Sequence, residues 1–251
     1  MPNRAWTREE LIIVFNLYCA LSFGQYDARN TRVIQVAHAI GRTPNSVAMK
    51  LCNYASLDPA HQRRGVKGLA NASRADKAIW SEMTANWTSA VEQIHRAEHD
   101  YAVPSSDEVE IEYPGGPTSI PRLTETRRGQ GFFRRTVLSA YQYRCCISGM
   151  PLPELLVASH IVPWGQSEEC RLNPCNGLCL SSIHDAAFDR GLITLDEEFK
   201  LVLSRRLREH FSNASIEAIF MRYEGFAIRL PDKFIPDQGF LAIHRESTFE
   251  Q

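Results

Sequence analysis

Apolar residues recur at helical spacing through the first hundred positions of the chain. In residues 8–21 they fall on one face of a helix, at Leu11, Val14, Phe15, Tyr18 and Leu21. Thr7 precedes this run as an N-cap, and Glu10 stands at the capping-box position. The same spacing predicts helices over residues 31–40 and 76–98. This part of the chain is therefore predicted to be entirely helical.

A short turn separates the second predicted helix from a third. Gly41 suits the end of a helix because it tolerates positive φ, Thr43 can cap the next helix, and Pro44 is favoured at its first position. A helix, a glycine-containing turn and a capped helix are typical of a helix-turn-helix module. Trp6-Thr7 together with Gly41-Arg42-Thr43 also resembles Myb/SANT-like and related helix-turn-helix modules. A purely structural pair of helices has the same pattern and stays an open alternative.

Basic and polar residues beside this turn are the candidate DNA contacts of the helical region. We predict that the third helix contacts DNA through Arg42, Asn45 and Lys50. The glycine-bearing stretch at residues 57–75 adds basic residues that can follow a phosphate backbone, although a solvated loop would look the same. Residues 1–96 hold twelve Lys and Arg against seven Asp and Glu, a difference of five positive charges. Because this excess is modest, DNA affinity depends on local clustering of these charges.

Residues 99–125 interrupt the helical pattern with prolines, glycines and acidic side chains. We interpret them as an inter-domain linker with one short strand at 109–113, held away from DNA by its negative charge. The predicted organisation is a helical DNA-binding domain at 1–98, this linker, and a second domain at 126–251. The predicted fold class is α+β, with an all-α N-terminal domain.

The C-terminal half alternates short apolar runs with turn-forming residues. A helix is predicted at 132–141, and a β-forming run at 155–162 ends at Pro163, which lacks a backbone donor. A further helix begins near Ser182, where serines can cap it. The remaining predicted elements are a hairpin at 193–203, helices at 205–211 and 215–223, and a last strand at 239–245.

The composition argues against a membrane-spanning protein and against one that binds nucleic acid through a high overall positive charge. The 251 residues are 44% apolar and 23% charged, and the net charge is −1. No apolar run reaches the length of a membrane span, and the first residues lead into no signal-peptide core. Seven cysteines are an odd number, and the adjacent Cys145-Cys146 make an unlikely disulfide pair. We therefore expect reduced thiols and a cytoplasmic protein.

The candidate chemistry is concentrated between residues 141 and 194. His160 stands at the far end of the predicted strand, and Asp185 and Asp189 are four residues apart on the predicted helix. Residues at this spacing project from one helix face. Two carboxylates on one face repel each other unless a cation or a basic partner lies between them. A hard divalent cation with oxygen ligands is the natural candidate.

These residues lie in a run, SHIVPW…NP.NGLCL…HDAAFDRGLIT, that resembles the ββα-metal module of HNH endonucleases. The resemblance covers residues 127–204. It implies that His160 is the general base that deprotonates a water and that Asn176 fixes the loop that orients this base. The metal ligands of the family correspond to Asp185 and Asp189, with His184 as a second candidate.

Two departures from the family pattern bear on the metal content. Many members carry Asp or His immediately before the general base, whereas this chain has Ser159, whose neutral hydroxyl is a poor ligand. Other members hold a structural zinc between two C-x-x-C pairs. Here Cys145 is followed by Ser148, and Cys179 by Ser182, so a four-cysteine site is not expected. One divalent ion is expected, Mg²⁺ or Mn²⁺ before Zn²⁺ or Ni²⁺.

The resemblance implies a metal-dependent DNA endonuclease with 5′-phosphate products, which suits prokaryotic restriction or phage defence. Arg171 and Arg190 are the candidates for contacting the DNA phosphates and for stabilising the transition state. Two alternatives stay open: a catalytically impaired DNA-binding regulator, favoured by Ser159, and a nickase or a nuclease for modified or single-stranded DNA. A homodimer is also left open, as are the recognition sequence and the preferred metal.

Overall fold

The computed structural model describes residues 4–65, 72–103, 121–210 and 212–250. The strand predicted at 109–113 and most of the predicted linker lie outside the described residues. The described helices are α1 Arg8–Ala20, α2 Thr31–Ala39, α3 Pro44–Leu57, α4 Pro59–Arg63, α5 Arg74–Ala85, α6 Trp87–Asp100, α7 Pro121–Ala140, α8 Ser182–Asp189, α9 Arg205–Arg208, α10 Ala214–Ile219 and α11 Gln238–Ser247. The strands are β1 Leu156–His160, β2 Gly177–Ser181, β3 Ile193–Leu195 and β4 Leu201–Leu203. The fold class is α+β, as predicted.

Local capping signals place the N-terminal helices where the sequence predicts them. Thr7 and Glu10 form a reciprocal capping box at the start of α1. Gly41 has φ +64°, which a side chain rarely allows, and Thr43 caps α3 with Pro44 at its first position. The helix predicted at 76–98 is instead two helices, because Asn86 leaves helical geometry and caps α6.

The strand predicted at residues 239–245 is wrong, because this stretch lies within helix α11. Asp237 caps the helix by accepting hydrogen bonds from the backbone N–H groups of Gly239 and Phe240. Leu241 and His244, three residues apart, form its buried face. The apolar run of this segment carries no strand alternation, so the cap and the packed face decide its conformation.

A second difference lies in the stretch at residues 57–75, which we predicted as a basic loop. It contains helix α4, and Asp58 caps that helix by accepting from the Ala60 backbone N–H. Pro59 occupies the first helical position, where its missing N–H costs nothing. The paired signals of an aspartate and a following proline were present in the sequence.

Two antiparallel strand pairs and a helix build the C-terminal core. β1 pairs with β2, so that His160 lies opposite Gly177, and β3 pairs with β4. Helix α8 follows β2 directly and packs on both strands of the first pair. This β–β–α arrangement places the end of β1 beside one face of α8.

Helix α7 joins the helical region to this strand pair through buried contacts. The Ser139 hydroxyl donates to the Cys19 carbonyl at 2.7 Å, and the Ser22 hydroxyl donates to the Ser139 carbonyl at 2.9 Å. Phe132 packs against Trp87 with ring centroids 6.0 Å apart. Residues from both halves of the chain therefore belong to one hydrophobic core. The boundaries 1–98, 99–125 and 126–251 stay a prediction.

A segment near the C-terminus inserts into the helical region. The fully buried ammonium of Lys233 donates to the carbonyls of Tyr18, Cys19 and Leu21 at 2.5, 2.7 and 2.7 Å, where α1 ends. Burial lowers the pKa of Lys233 to about 7. Phe234 stacks on Trp80 with an interplanar angle of 9°. In the described part of the chain, no helix is long and apolar enough to cross a bilayer.

Candidate active site

The end of strand β1 presents His160 with one ring nitrogen bound and the other available. Its Nε2 lies 2.9 Å from the carbonyl oxygen of Arg171. A carbonyl only accepts hydrogen bonds, so Nε2 must carry the proton of the neutral ring. The unprotonated nitrogen is then Nδ1, and this nitrogen is available to take a proton.

Aromatic rings enclose the His160 imidazole. Phe133 stacks on it with centroids 3.9 Å apart and an interplanar angle of 9°, and Trp164 meets it edge-on at 5.5 Å. Burial lowers the pKa of His160, while the Arg171 carbonyl and the negative charge of Asp185 act in the opposite direction. The ring is therefore neutral at physiological pH, which a general base requires.

Asn176 lies at the base of the loop between β1 and β2 and is completely buried. Its Oδ1 accepts from the Val162 N–H at 2.8 Å, and its Nδ2 donates to the carbonyls of Val162 and Cys170 at 3.1 and 3.2 Å. The Asn176 carbonyl accepts from the Ile161 N–H at 2.9 Å. These bonds tie both ends of the loop that carries Arg171, the partner of His160.

Helix α8 carries Asp185 and Asp189 one turn apart. Burial raises the pKa of Asp185, and partial enclosure followed by the charge of Asp185 raises the pKa of Asp189. Arg190 opposes both shifts. The Ser159 hydroxyl is buried and lies close enough to favour ionised Asp185, but it has no hydrogen bond of ordinary geometry with another described residue. Both carboxylates therefore sit where an added cation would relieve their repulsion.

His184 faces away from these carboxylates, so the structure does not favour it as a ligand of the same ion. Its Nε2 donates to the Ile219 carbonyl at 2.9 Å, and its Nδ1 lies 2.7 Å from the Ser181 hydroxyl and 3.6 Å from the Cys145 thiol. The residue is only 2% exposed. Both ring nitrogens therefore have partners, and the His184 side chain joins the start of α8 to the end of α10.

The available donors suit a magnesium-type ion, which completes its coordination shell with waters and substrate phosphates, better than an ion that needs protein ligands alone. Within the described ranges, no group of three or more His, Cys, Asp or Glu side chains is placed to hold a metal. Mg²⁺ is ordinarily held by one or two carboxylates together with waters and substrate phosphates. Asp185 and Asp189 supply two such carboxylates, and the unsatisfied Ser159 hydroxyl is a polar group for a metal-bound water.

Arg171 and Arg190 differ in how fully the chain itself occupies their guanidinium groups. The Arg171 guanidinium donates to the Trp164 carbonyl at 2.7 Å and contacts Glu168 at 3.2 Å, so it closes its own loop. Arg190 is exposed and donates to the Ala186 carbonyl at 2.8 Å. Arg190 is therefore the more available of the two for a DNA phosphate.

The predicted DNA contacts of the helical region are largely occupied by other residues of the chain. Arg42 binds Glu10 at 2.7 Å, and Lys50 binds Asp76 at 2.7 Å. Only Asn45 is exposed among the three predicted contacts. DNA binding at this turn stays a prediction, but a phosphate would have to compete with buried carboxylates for both cations.

Sequence reasoning missed the ring partners of His160. Phe133 lies at the start of the helix predicted at 132–141, and Trp164 belongs to the SHIVPW run, but neither position indicates a contact with His160. Their contacts with His160 depend on how α7 and the loop fold over β1. Only the tertiary structure shows the stacking of Phe133 on the ring.

Comparison with known families identifies the C-terminal segment independently of this geometry. Residues 145–196 match the family model described as HNH endonuclease. The matched segment contains His160, Asn176, Asp185 and Asp189. Among curated proteins, no significant match to the chain was found.

Proposed function

Because residues 145–196 form an HNH endonuclease domain, we propose that the protein is a metal-dependent nuclease that hydrolyses phosphodiester bonds in DNA. The observation that carries this proposal is the pairing of a neutral, enclosed His160 with the Asp185 carboxylate on the adjacent helix. A base and a cation-binding group side by side are what water-mediated phosphodiester hydrolysis requires.

His160 acts as the general base in this proposal. Its Nδ1 takes one proton from a water while the water oxygen forms a bond to phosphorus. The bond between phosphorus and the 3′ oxygen breaks, and that oxygen takes a proton from solvent, which leaves 5′-phosphate and 3′-hydroxyl ends. The Arg171 carbonyl holds the Nε2 proton throughout, so the ring stays oriented.

Asp185 and Asp189 are the proposed ligands for one divalent cation, with Mg²⁺ or Mn²⁺ preferred by their oxygen donors. Bound there, the ion would neutralise charge on the scissile phosphate. Asn176 maintains the loop through its four backbone contacts. Arg190, exposed at the end of α8, is the proposed contact to a neighbouring phosphate.

Prokaryotic restriction or phage defence is the biological role that best suits such a nuclease. A catalytically impaired regulator is the rival role, since Ser159 replaces a charged ligand. The raised pKa values of Asp185 and Asp189 favour the nuclease, because a regulator has no need for two repelling carboxylates beside a poised base.

Plasmid cleavage with controlled metal content tests this proposal. Purified protein would be incubated with supercoiled plasmids of differing methylation in Mg²⁺, in Mn²⁺, and in EDTA followed by metal readdition. We expect cleavage that EDTA stops and readdition restores, with ends that a ligase rejoins directly. Open circles as the final product would indicate a nickase. Retention of DNA without cleavage under every condition would contradict the nuclease and favour the regulator.

A further inference from the structure

The orientation of the His160 ring depends on more than its hydrogen bond. One bond from Nε2 to the Arg171 carbonyl fixes a single point of the imidazole and leaves the ring free to swing about it. The near-parallel stack on Phe133, at 3.9 Å and 9°, fixes the plane of the ring. We propose that Phe133 is a positioning residue that holds the His160 imidazole in the plane from which Nδ1 reaches the water. This inference rests on the proposed function.

Phe133 is itself held in place by the strand pair. The residue is 2% exposed, and it packs against Gly177, the partner of His160 in the ladder. A Cβ added to Gly177 would lie 3.0 Å from the Phe133 Cζ and 2.4 Å from a Val137 methyl group. Gly177 therefore lets α7 approach β2 closely enough for the Phe133 ring to lie flat on His160.

Helix α7 is anchored on both sides of Phe133. The Arg134 guanidinium donates to the Leu156 carbonyl at 2.9 Å, which ties the helix to the start of β1. On the other side, Phe132 contacts Trp87 and Ser139 donates to the Cys19 carbonyl. Neighbouring residues of a helix point about 100° apart. Phe132 thus faces the helical region while Phe133 faces the catalytic ring.

The helical region acquires a second role from this arrangement. It supports the helix that carries Phe133, so the position of His160 depends on packing between the two halves of the chain. A misplacement of about 1 Å at a reacting group can lower the rate about 100-fold. Phe133 is buried and its side chain has no group that can take or give a proton, so its effect acts through His160.

Matched substitutions of the adjacent phenylalanines separate positioning from packing. Phe133→Leu removes the flat ring and keeps apolar volume, and Phe132→Leu makes the same change at an equally buried neighbour. At equal folded fraction, we expect Phe133→Leu to lower kcat roughly 10- to 100-fold with little change in KM for DNA. Phe132→Leu weakens one anchor of α7 but keeps the Phe133 ring on His160 and the anchors at Arg134 and Ser139, so its kcat should fall much less than that of Phe133→Leu. If Phe133→Leu does not fold, Phe133→Met replaces it as the test variant, because methionine also removes the flat ring and keeps apolar volume.

Histidine NMR provides a readout that does not depend on cleavage. In protein with labelled histidine, the wild-type His160 should show one neutral Nε2–H tautomer and a ring-current shift on its Cε1 proton. Phe133→Leu removes the source of that shift wherever His160 lies, so the readout in this variant is the tautomer: the single Nε2–H form should give way to exchange between both tautomers, whereas Phe132→Leu should retain the single form and the shift. Loss of the single tautomer without any wild-type cleavage would support the positioning and contradict only the proposed function.

Two results would overturn the inference. One is a Phe133→Leu enzyme with the wild-type kcat. The other is an equal loss of kcat in both leucine variants with the single His160 tautomer retained in both, which would assign Phe133 to core packing alone.

Discussion

The helical region and the HNH endonuclease domain differ in whether their carboxylates have a cationic partner within the chain. In the helical region, Glu10 is fully buried but binds Arg42 at 2.7 Å, and Asp76 binds Lys50 at 2.7 Å. In the endonuclease domain, Asp185 and Asp189 lie one turn apart on α8, and the negative charge of Asp185 contributes to the raised pKa of Asp189. A buried charge with a partner is compensated within the fold and is costly to leave alone, whereas two neighbouring carboxylates with raised pKa values are typical of a site that binds a ligand.

This contrast changes the interpretation of the basic residues near the helix-turn-helix signal. Arg42 and Lys50 had the residue type and position of phosphate contacts. Their carboxylate partners lie 32 and 26 residues away along the chain. A basic side chain beside a turn is therefore an ambiguous signal, because its partner depends on packing that local sequence does not encode.

The largest effect is expected from removing a paired charge in the helical region. Glu10→Ala leaves Arg42 without its carboxylate and removes the acceptor for the Thr7 N–H. Breaking such a buried pair costs about 3–5 kcal/mol. Chemical denaturation should show a loss of this size. Glu9→Ala, at the exposed neighbour, is the control, and equal small losses in both variants would contradict the structural role of Glu10.

Lys233 extends the comparison, because its buried ammonium donates its hydrogen bonds to three backbone carbonyls and not to a carboxylate. Its pKa is about 7 in the folded protein, below the value of about 10.4 expected when unfolded. Between these values the unfolded chain holds more protons, so stability should rise with pH, by up to about 1.4 kcal/mol per unit.

Denaturation of the wild type and of Lys233→Met from pH 7 to 9.5 measures this dependence. The wild type should gain stability relative to the variant across the range. If the difference in free energy of unfolding between the two proteins does not change with pH, the pKa of Lys233 is not lowered in the folded state.

At the predicted metal site, Asp185→Asn and Asp189→Asn should act on metal affinity and not on stability. Each removes one carboxylate charge, so half-maximal cleavage should require at least roughly tenfold more Mg²⁺. Removing the repulsion leaves folding intact or slightly favoured. Metal titrations of cleavage measure the shift, and Asp100→Asn in the helical region is the control. An unchanged Mg²⁺ requirement in both variants would remove these residues from the metal site.

The smallest effect is expected at the exposed turn of the helical region. Asn45→Glu adds a negative charge at the second position of α3, where the N-terminal end of the helix dipole favours acidic residues, so the fold should persist. If this turn contacts DNA, affinity at low salt should fall a few-fold, since phosphates repel the new charge. Thr88→Glu, at the second position of α6, is the matched control. Equal affinity of the two variants would leave α2 and α3 with a structural role only.

Features encoded within a few residues were predictable from the sequence. Thr7 and Glu10 cap α1, and Thr43 with Pro44 begins α3, because capping groups act on the nearest backbone N–H groups. The β–β–α order was also predictable, because its motifs occur in family order. The assignments of His160 and Asn176 stay predictions, although their hydrogen bonds are those that a base and its loop require.

Features decided by distant packing were not predictable. Residues 239–245 form a helix through the local Asp237 cap together with the burial of Leu241 and His244 against the core, and only the second of these depends on distant packing. Lys233 reaches carbonyls more than two hundred positions earlier in the chain. The stack of Phe133 on His160 likewise needs α7 to lie across the strand pair. Periodicity describes one element at a time, so it cannot identify such partners.

Single-turnover cleavage of supercoiled plasmid by His160→Ala in Mg²⁺ tests the central claim most directly. The account predicts a loss of about 10²–10⁴-fold, with DNA affinity and thermal stability close to wild type, because the substitution removes the proton acceptor. His99→Ala, at an exposed histidine, should cleave normally. Cleavage by His160→Ala at the wild-type rate would contradict the account.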